Sequence, residues 1–188
     1  MSGPVHPDSF QARLQRALGP AYELVRLVGA GGMGQVWLAV EGALHRPVAV
    51  KVLHPGLGAS EVARHRFRRE CETAARLHHP GVVPVHRIGE SGDLAWFVMA
   101  YVEGETLAER LAREGRLPLA DAFRVAREVA DALAAAHRAG VVHRDVKPQN
   151  ILLEGGTGRV LVGDFGIARA LYPAPAGSGA DPLTLTGA

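Results

Sequence analysis

Cysteine is almost absent from this sequence, whose 188 residues include a single one, Cys71. An intramolecular disulfide is therefore excluded, and a reducing compartment is favoured. The sequence also lacks an apolar run of about 18 residues, so we expect no membrane-spanning segment in this chain. Residues 1–8 lack the basic and apolar regions of a signal peptide, and we expect a cytoplasmic location.

An excess of charge of either sign is missing as well. The 21 basic and 19 acidic residues give a formal net charge of +2, so the composition demands neither nucleic acid nor a membrane surface as a partner. Hydrophobic residues make up 47% of the chain, which is ordinary for a globular protein with a sizeable core.

Two polar motifs lie close together late in the chain, where residues 142–150 read VHRDVKPQN and residues 163–166 read GDFG. Their spacing predicts a catalytic loop followed by a metal-binding turn. We expect Asp145 to face a hydroxyl that attacks a phosphate, and Lys147 to lie near the transferred phosphoryl group. The oxygen atoms of Asn150 and Asp164 are the ligands that Mg²⁺ prefers.

A glycine-rich segment lies near the start of the chain. Gly29, Gly31 and Gly34 form a GxGxxG pattern between two predicted strands, at 22–28 and 35–40. A dinucleotide-binding turn has the same spacing, but it opens a helix, whereas here a β-branched strand follows. We therefore predict a flap whose backbone amides cover phosphates, with a flexible hairpin as the alternative.

Lys51 is the single cation in the apolar run 47–53, which we predict to be a third strand. It is either a surface lysine with a buried stem or the lysine that binds the α- and β-phosphates of a nucleotide. Its position shortly after a glycine flap favours the phosphate-binding role.

Taken together, these motifs resemble those of Hanks-type protein kinases, and most closely the eukaryotic-like Ser/Thr kinases of bacteria. The resemblance implies an α+β, two-lobed kinase-like fold, with a complete small lobe (a five-stranded antiparallel sheet plus one helix) and a partial helical large lobe. It implies ATP and Mg²⁺ as cofactors and a protein substrate with Ser or Thr. Tyrosine kinases typically carry Ala-Arg-type residues at Lys147-Pro148, so Ser/Thr specificity is implied.

The resemblance also implies roles for further residues. The adenine pocket would be formed by Val28, Val36, Ala49, Met99, Val102 and Leu152. A helix glutamate would pair with Lys51; Glu70 is favoured over its rivals Glu61 and Glu72. Arg144 would bind a phosphate on the activation segment, with Thr184 and Thr186 as candidate acceptors, although their stretch also fits a plain polar loop. Activation in trans would require two copies to associate.

The elements around these motifs follow from local patterns. Ser9 caps a predicted helix at 10–18, which we place in a leader (1–20) outside the core. A helix is predicted at 60–77, a hairpin at 82–88 and 94–102, a capping box at Thr106–Glu109 and a long helix at 118–139. His78, His79 and His86 are not expected to bind metal, because no ligand partner stands at suitable spacing.

The predicted domains are a small lobe (21–103), a partial large lobe (104–170) and a truncated activation segment (171–188). No Ala-Pro-Glu follows, so we expect a fragment, a frameshifted product or a deliberately shortened chain, with one apolar side of the long helix uncovered. Two functions stay open. One is a Ser/Thr kinase seen in part and weak or inert alone; the other is a nucleotide-binding or interaction module without phosphotransfer.

Overall fold

The computed structural model describes residues 9–31, 34–53 and 61–165. Its first part is a five-stranded antiparallel sheet with two helices. The helices are α1 (Phe10–Leu18) and α2 (Glu61–Ala75). The strands, hydrogen-bonded in the order β1-β2-β3-β5-β4, are β1 (Tyr22–Gly31), β2 (Gly34–Glu41), β3 (Arg46–Leu53), β4 (Val85–Ser91) and β5 (Leu94–Ala100).

The second part is mainly helical and carries a small three-stranded antiparallel sheet. Its elements are β6 (Gly104–Thr106), α3 (Leu107–Glu114), α4 (Leu119–Arg138), β7 (Ile151–Glu154) and β8 (Val160–Val162). A 3₁₀ turn at Pro148–Asn150 connects the loop after α4 to β7. The predicted α+β architecture, a five-stranded antiparallel sheet followed by a mainly helical part, is confirmed.

Helix α1 belongs to the core of the first part, so its predicted place in a leader outside the core is wrong. Phe10, Leu14 and Leu18 recur at every fourth position and form one apolar stripe. Leu14 is fully buried, and the stripe packs with residues of the sheet such as Trp37 and Val50. The predicted cap is confirmed, since the Ser9 hydroxyl accepts a hydrogen bond from Ala12 N at 3.2 Å.

The first arm of the predicted hairpin starts later than expected, at Val85 instead of residue 82. The preceding residues bond to the other sheet: Val83 N donates to Val162 O at 3.0 Å, and Val162 N donates to Gly81 O at 2.8 Å. Their backbone groups are therefore satisfied by β8 and are not available to extend β4. These bonds join the two parts of the chain beside the Gly163–Phe165 segment.

Helices α3 and α4 begin and end close to the predicted residues. The Thr106 hydroxyl accepts from Glu109 N, and the Glu109 carboxylate accepts from Thr106 N, which completes the predicted capping box. On α4 the buried residues are Val125, Val129, Ala132 and Ala136. These buried positions repeat at intervals of three and four residues, and Ala126, which falls outside that series, is exposed.

Within the part of the chain that the structure describes, one apolar side of α4 is exposed, as the sequence predicts. Leu119 is 73% exposed and Phe123 is 69% exposed, and Ala126 and Ala130 continue the same side along the helix. The buried side, with Val125 and Val129, packs in a core that also contains Phe67 and other residues of the first part. No helix among the described residues is long and apolar enough to cross a membrane.

The reactivity of the Cys71 thiol provides a test of how α2 is placed in the structure. Its thiol is fully buried in the shared core, and burial, reinforced by the nearby carboxylates of Glu70 and Glu72, raises its pKa. Because the thiolate is the reacting form, we expect Ellman's reagent to leave the native chain unmodified and to label it once in urea. Native labelling as fast as that of free glutathione would contradict this placement.

Candidate functional site

His143 organises the loop that follows α4. Its buried ring lies 4.6 Å from the ring of Phe165, and its Nε2 lies 2.8 Å from Gly163 O. Its Nδ1 accepts a hydrogen bond from Asp145 N at 3.2 Å. Because a carbonyl only accepts and a backbone N–H only donates, these two bonds require the neutral Nε2–H tautomer. The sequence assigned no role to His143, which holds the two predicted motifs together.

The carboxylate of Asp145 is held by two neighbours of the same loop. Lys147 Nζ lies 2.7 Å from Asp145 Oδ2, and Asn150 Nδ2 donates to the same oxygen at 3.1 Å. Asn150 Nδ2 also donates to Asp145 O at 2.8 Å, which closes the loop on itself. Burial raises the pKa of Asp145, but the hydrogen bonds from Lys147 and Asn150 outweigh it and the net pKa is lowered. Asp145 is therefore an oriented anion at neutral pH.

Lys51 and Asp164 form an ion pair between residues 113 positions apart, with Nζ and Oδ2 separated by 2.5 Å. Lys51 is only 6% exposed, and it reaches the pair from the middle of β3. The second oxygen, Asp164 Oδ1, is buried and accepts no hydrogen bond from the described residues. Asp164 also has φ +58°, a left-handed conformation that is uncommon outside glycine and recurs at functional sites.

The predicted pairing of Glu70 with Lys51 is wrong in this conformation. Lys51 pairs with Asp164, while Glu70 Oε1 lies 3.8 Å from Arg144 Nη1. The nearly buried ammonium has the closer carboxylate of Asp164 as its counter-ion, and the partly exposed Glu70 binds a partly exposed guanidinium instead. Of the three candidate glutamates of α2, Glu70 is the least exposed, since Glu61 and Glu72 both face solvent.

A cavity of about 440 Å³ opens between the two sheets, a volume typical of small-molecule sites. Six residues predicted at the nucleotide site and two predicted metal ligands line it: Val28, Gly29, Val36, Met99, Val102, Leu152, Asn150 and Asp164. Ala49 and Lys51 are not part of its lining; both are buried on β3. The sequence missed Arg26, Tyr101 and Gln149, which also line the cavity; Arg26 and Tyr101 lie outside the quoted motifs, and Gln149 lies in the 142–150 loop without an assigned role.

The glycines of the flap differ in what they require. Gly34 has φ +133°, and a Cβ there would lie 2.0 Å from Val52 O, so only glycine fits. Gly29 lines the cavity, and a Cβ at Gly29 or Gly31 would meet no atom within 4 Å. Space is therefore left beside these two positions for a ligand that approaches the backbone.

Two further sets of predicted residues lie apart from this cleft or outside the structure. His79 Nδ1 accepts from Gly81 N at 3.1 Å, and its Nε2 lies 3.3 Å from an oxygen of Asp131, so its ring ties α4 to the turn before β4. Thr184 and Thr186 lie outside the described residues.

The chain belongs to the protein kinase domain family, whose family model matches residues 22–181. The Ser/Thr-protein kinase PknA of Mycobacterium tuberculosis is 48% identical over 168 residues, which cover 87% of this chain and 39% of PknA. The crystal structure of the M. tuberculosis PknI kinase domain matches with a TM-score of 0.72 and 39% identity, covering 79% of this chain and 60% of that chain.

A structure of Rad53 in complex with AMP-PNP matches with a TM-score of 0.69 and 28% identity, covering 78% of this chain and 38% of that chain. The resemblance to bacterial Ser/Thr kinases that the motifs carry is therefore confirmed. The chain spans less than two thirds of the length of each of these relatives.

The Lys51–Asp164 ion pair leads to a prediction about the stability of variants that lack one or both charges. Asp164→Ala leaves a buried ammonium without its counter-ion, so we expect the free energy of unfolding to fall by about 2 kcal/mol. This is less than for a fully buried pair, because 24% of the Asp164 side chain is exposed. Urea unfolding without nucleotide measures it, and Lys51→Met/Asp164→Leu, which removes both charges, should be more stable than Asp164→Ala. A double variant as unstable as the sum of its single changes would contradict the pair.

Proposed function

We propose that this chain carries the ATP site and catalytic loop of a protein kinase that phosphorylates Ser and Thr residues of proteins. The observation that carries the proposal is that Asn150 and Asp164 line one cavity and that each contacts a charged partner: Asn150 donates to Asp145, which pairs with Lys147, and Asp164 pairs with Lys51. Transfer of a phosphoryl group needs little besides positioning and neutralisation of charge, and these side chains supply both.

Each side chain has a part in the transfer. Asp145 orients the substrate hydroxyl and accepts its proton, while the hydroxyl oxygen forms a bond to the γ-phosphorus. The bond from that phosphorus to the β,γ-bridging oxygen breaks, and ADP leaves. Lys51 holds the α- and β-phosphates under the flap, and Lys147 balances the charge on the transferred group. The adenine ring lies between Val28 and Leu152, which line the cavity.

Asn150 and Asp164 are the residues that would hold Mg²⁺. The fit rests on Asp164 Oδ1, a buried carboxylate oxygen to which no described residue donates a hydrogen bond, and on the oxygen-rich donor set that a hard cation prefers. Asn150 donates from its nitrogen to Asp145, which leaves its amide oxygen as the atom for the metal. A bound Mg²⁺ would neutralise phosphate charge.

Specificity for Ser and Thr is supported by Lys147-Pro148 and by the Ser/Thr-kinase relatives. ATP as the phosphoryl donor is supported by the AMP-PNP held by the related Rad53 structure. Because ATP and Mg²⁺ are abundant in the cytoplasm, we place the reaction there.

A second candidate function is nucleotide binding without transfer. It is favoured by the exposed Leu119 and Phe123, which leave α4 uncovered on one side, and by Lys51 being paired with Asp164 and not with Glu70. Binding of a fluorescent ATP analogue with Mg²⁺ in the absence of any labelled product would favour this function for the chain alone.

The two functions are separated by incubating the chain with Mg²⁺, γ-labelled ATP and a generic protein substrate. If the kinase proposal is correct, label appears on Ser and Thr, and Asp145→Asn lowers the rate about 10²- to 10⁴-fold, because the proton acceptor is lost. Asp131→Asn, the same change at a largely exposed residue of α4 that lies beside His79 and outside the cavity lining, serves as the control and should leave the rate unchanged. Label transfer that survives Asp145→Asn would overturn the assignment of Asp145.

Arg144 is the regulatory residue of the proposed site. Its backbone has φ +65°, and its guanidinium lies beside Glu70. A phosphate on Thr184 or Thr186, placed there by a second copy of the chain, carries more charge than a carboxylate and forms bidentate bonds with arginine. It would therefore take Arg144 from Glu70 and free that carboxylate for Lys51.

This regulation predicts a phosphorylation effect that depends on Arg144. Pre-incubation with ATP and Mg²⁺ should raise the rate of substrate labelling several-fold in the wild-type chain. We expect Arg144→Gln, and likewise Thr184→Ala/Thr186→Ala, to abolish that rise, whereas the exposed control Arg116→Gln keeps it. A rise that persists in Arg144→Gln would show that the phosphate acts elsewhere.

A further inference from the structure

The side chain of Gln15, on α1, makes hydrogen bonds to the backbone of the first strand. Gln15 Nε2 donates to Tyr22 O at 2.8 Å, and Leu24 N donates to Gln15 Oε1 at 2.9 Å. The carbonyl of one strand residue and the N–H of the second residue after it point to the same side of the strand. Gln15 therefore bonds to β1 as a neighbouring strand would.

This position matters because β1 is an edge strand, with β2 as its single neighbour in the sheet. Pairing of β1 with β2 is irregular between Leu24 and Arg26, and again between Leu27 and Gly29. Leu24 is thus the last regularly paired residue before the first irregularity, and its N–H donates a hydrogen bond to the side chain of Gln15. Beyond that point the ladder to β2 alone fixes the strand less firmly.

Helix α1 is itself anchored well enough to act as a support. Leu14 and Leu18 are buried in the core beneath the sheet, and Arg13 forms an ion pair with Asp93 in the turn between β4 and β5, at the opposite side of the sheet. The helix therefore connects the far edge of the sheet to β1, the strand that leads to the flap.

We infer that Gln15 is a positioning residue for the glycine flap, and that it acts by holding β1 at Leu24. The strand continues from there to Val28 and Gly29, which line the cavity. Fixing β1 beside its first irregularity places these residues above the nucleotide and sets how closely the flap covers the phosphates. The inference rests on the proposed ATP site and adds a residue remote from the cavity to it.

The test compares ligands with and without phosphates. Gln15→Leu keeps the approximate volume and removes both bonds, so we expect the affinity for a fluorescent ATP analogue with Mg²⁺ to fall about three- to tenfold. Adenosine keeps the contact of its ring with Val28 but has no phosphates for the flap to cover, so its affinity should fall clearly less than that of the ATP analogue. The matched control is Gln11→Leu, one turn earlier on α1, which should alter neither affinity.

Hydrogen exchange of the nucleotide-free chain gives a second, independent readout. Gln15→Leu should speed exchange at Leu24 and the following residues of β1, and leave β3 and β5 protected. Equal weakening of ATP and adenosine, or unchanged exchange at β1, would overturn the inference. If the wild-type chain binds no nucleotide, the proposed function fails, while exchange still decides whether Gln15 holds β1. Should Gln15→Leu not fold, Gln15→Glu, which loses the Nε2 donor, takes its place in both measurements.

Discussion

The ion pair between Lys51 and Asp164 is the interaction on which the cleft depends. Burying the Lys51 ammonium costs free energy unless a carboxylate lies next to it as a counter-ion. Here Asp164 provides that carboxylate from the other side of the cavity. The same need for a counter-ion is met elsewhere in the site, where Lys147 forms an ion pair with Asp145 and Arg144 forms one with Glu70. The charges of Lys51, Lys147 and Arg144 are therefore each neutralised in part by a neighbouring carboxylate. A nucleotide with a divalent cation suits such a site, because it brings both signs and can replace one set of pairs with another.

The loop that contains Asp145 is held by side-chain hydrogen bonds to backbone groups. His143 accepts a hydrogen bond from Asp145 N through Nδ1 and donates one to Gly163 O through Nε2. The side-chain amide of Asn150 donates a third bond to Asp145 O. These bonds therefore connect Asp145 to the Gly163–Phe165 segment through His143. This coupling explains why a buried histidine belongs in a loop whose chemistry does not use it, since oriented groups in a site need such support.

How far the sequence could predict the site depended on how local each feature is. Asp145, Lys147 and Asn150 share one short loop, so their spacing along the chain already determined that they would meet. The partner of Lys51 could not be found in this way, because Glu70 and Asp164 come from distant elements and only the tertiary distances decide between them. Arg26 and Tyr101 were missed for the same reason: they are 75 positions apart in the sequence, yet both line the cavity and Arg26 Nη2 donates to Tyr101 Oη at 3.2 Å. The packing of α1 against the sheet could have been predicted, because Phe10, Leu14 and Leu18 are spaced to form one buried stripe. The prolines and glycines around the helix instead favoured the interpretation of residues 1–20 as a leader outside the core.

A glycine-rich flap combines two opposed requirements. Its backbone must approach phosphates closely, which calls for residues without side chains, yet such residues contribute little packing to hold the strand in place. In this chain the burial pattern of β1 reflects the problem, because Val25, Leu27 and Val28 are all largely exposed. Support therefore has to come from the start of the strand, where Tyr22 is buried and the amide of Gln15 replaces the missing neighbour. A helix before the first strand is in this sense part of the nucleotide site, even though none of its residues lines the cavity.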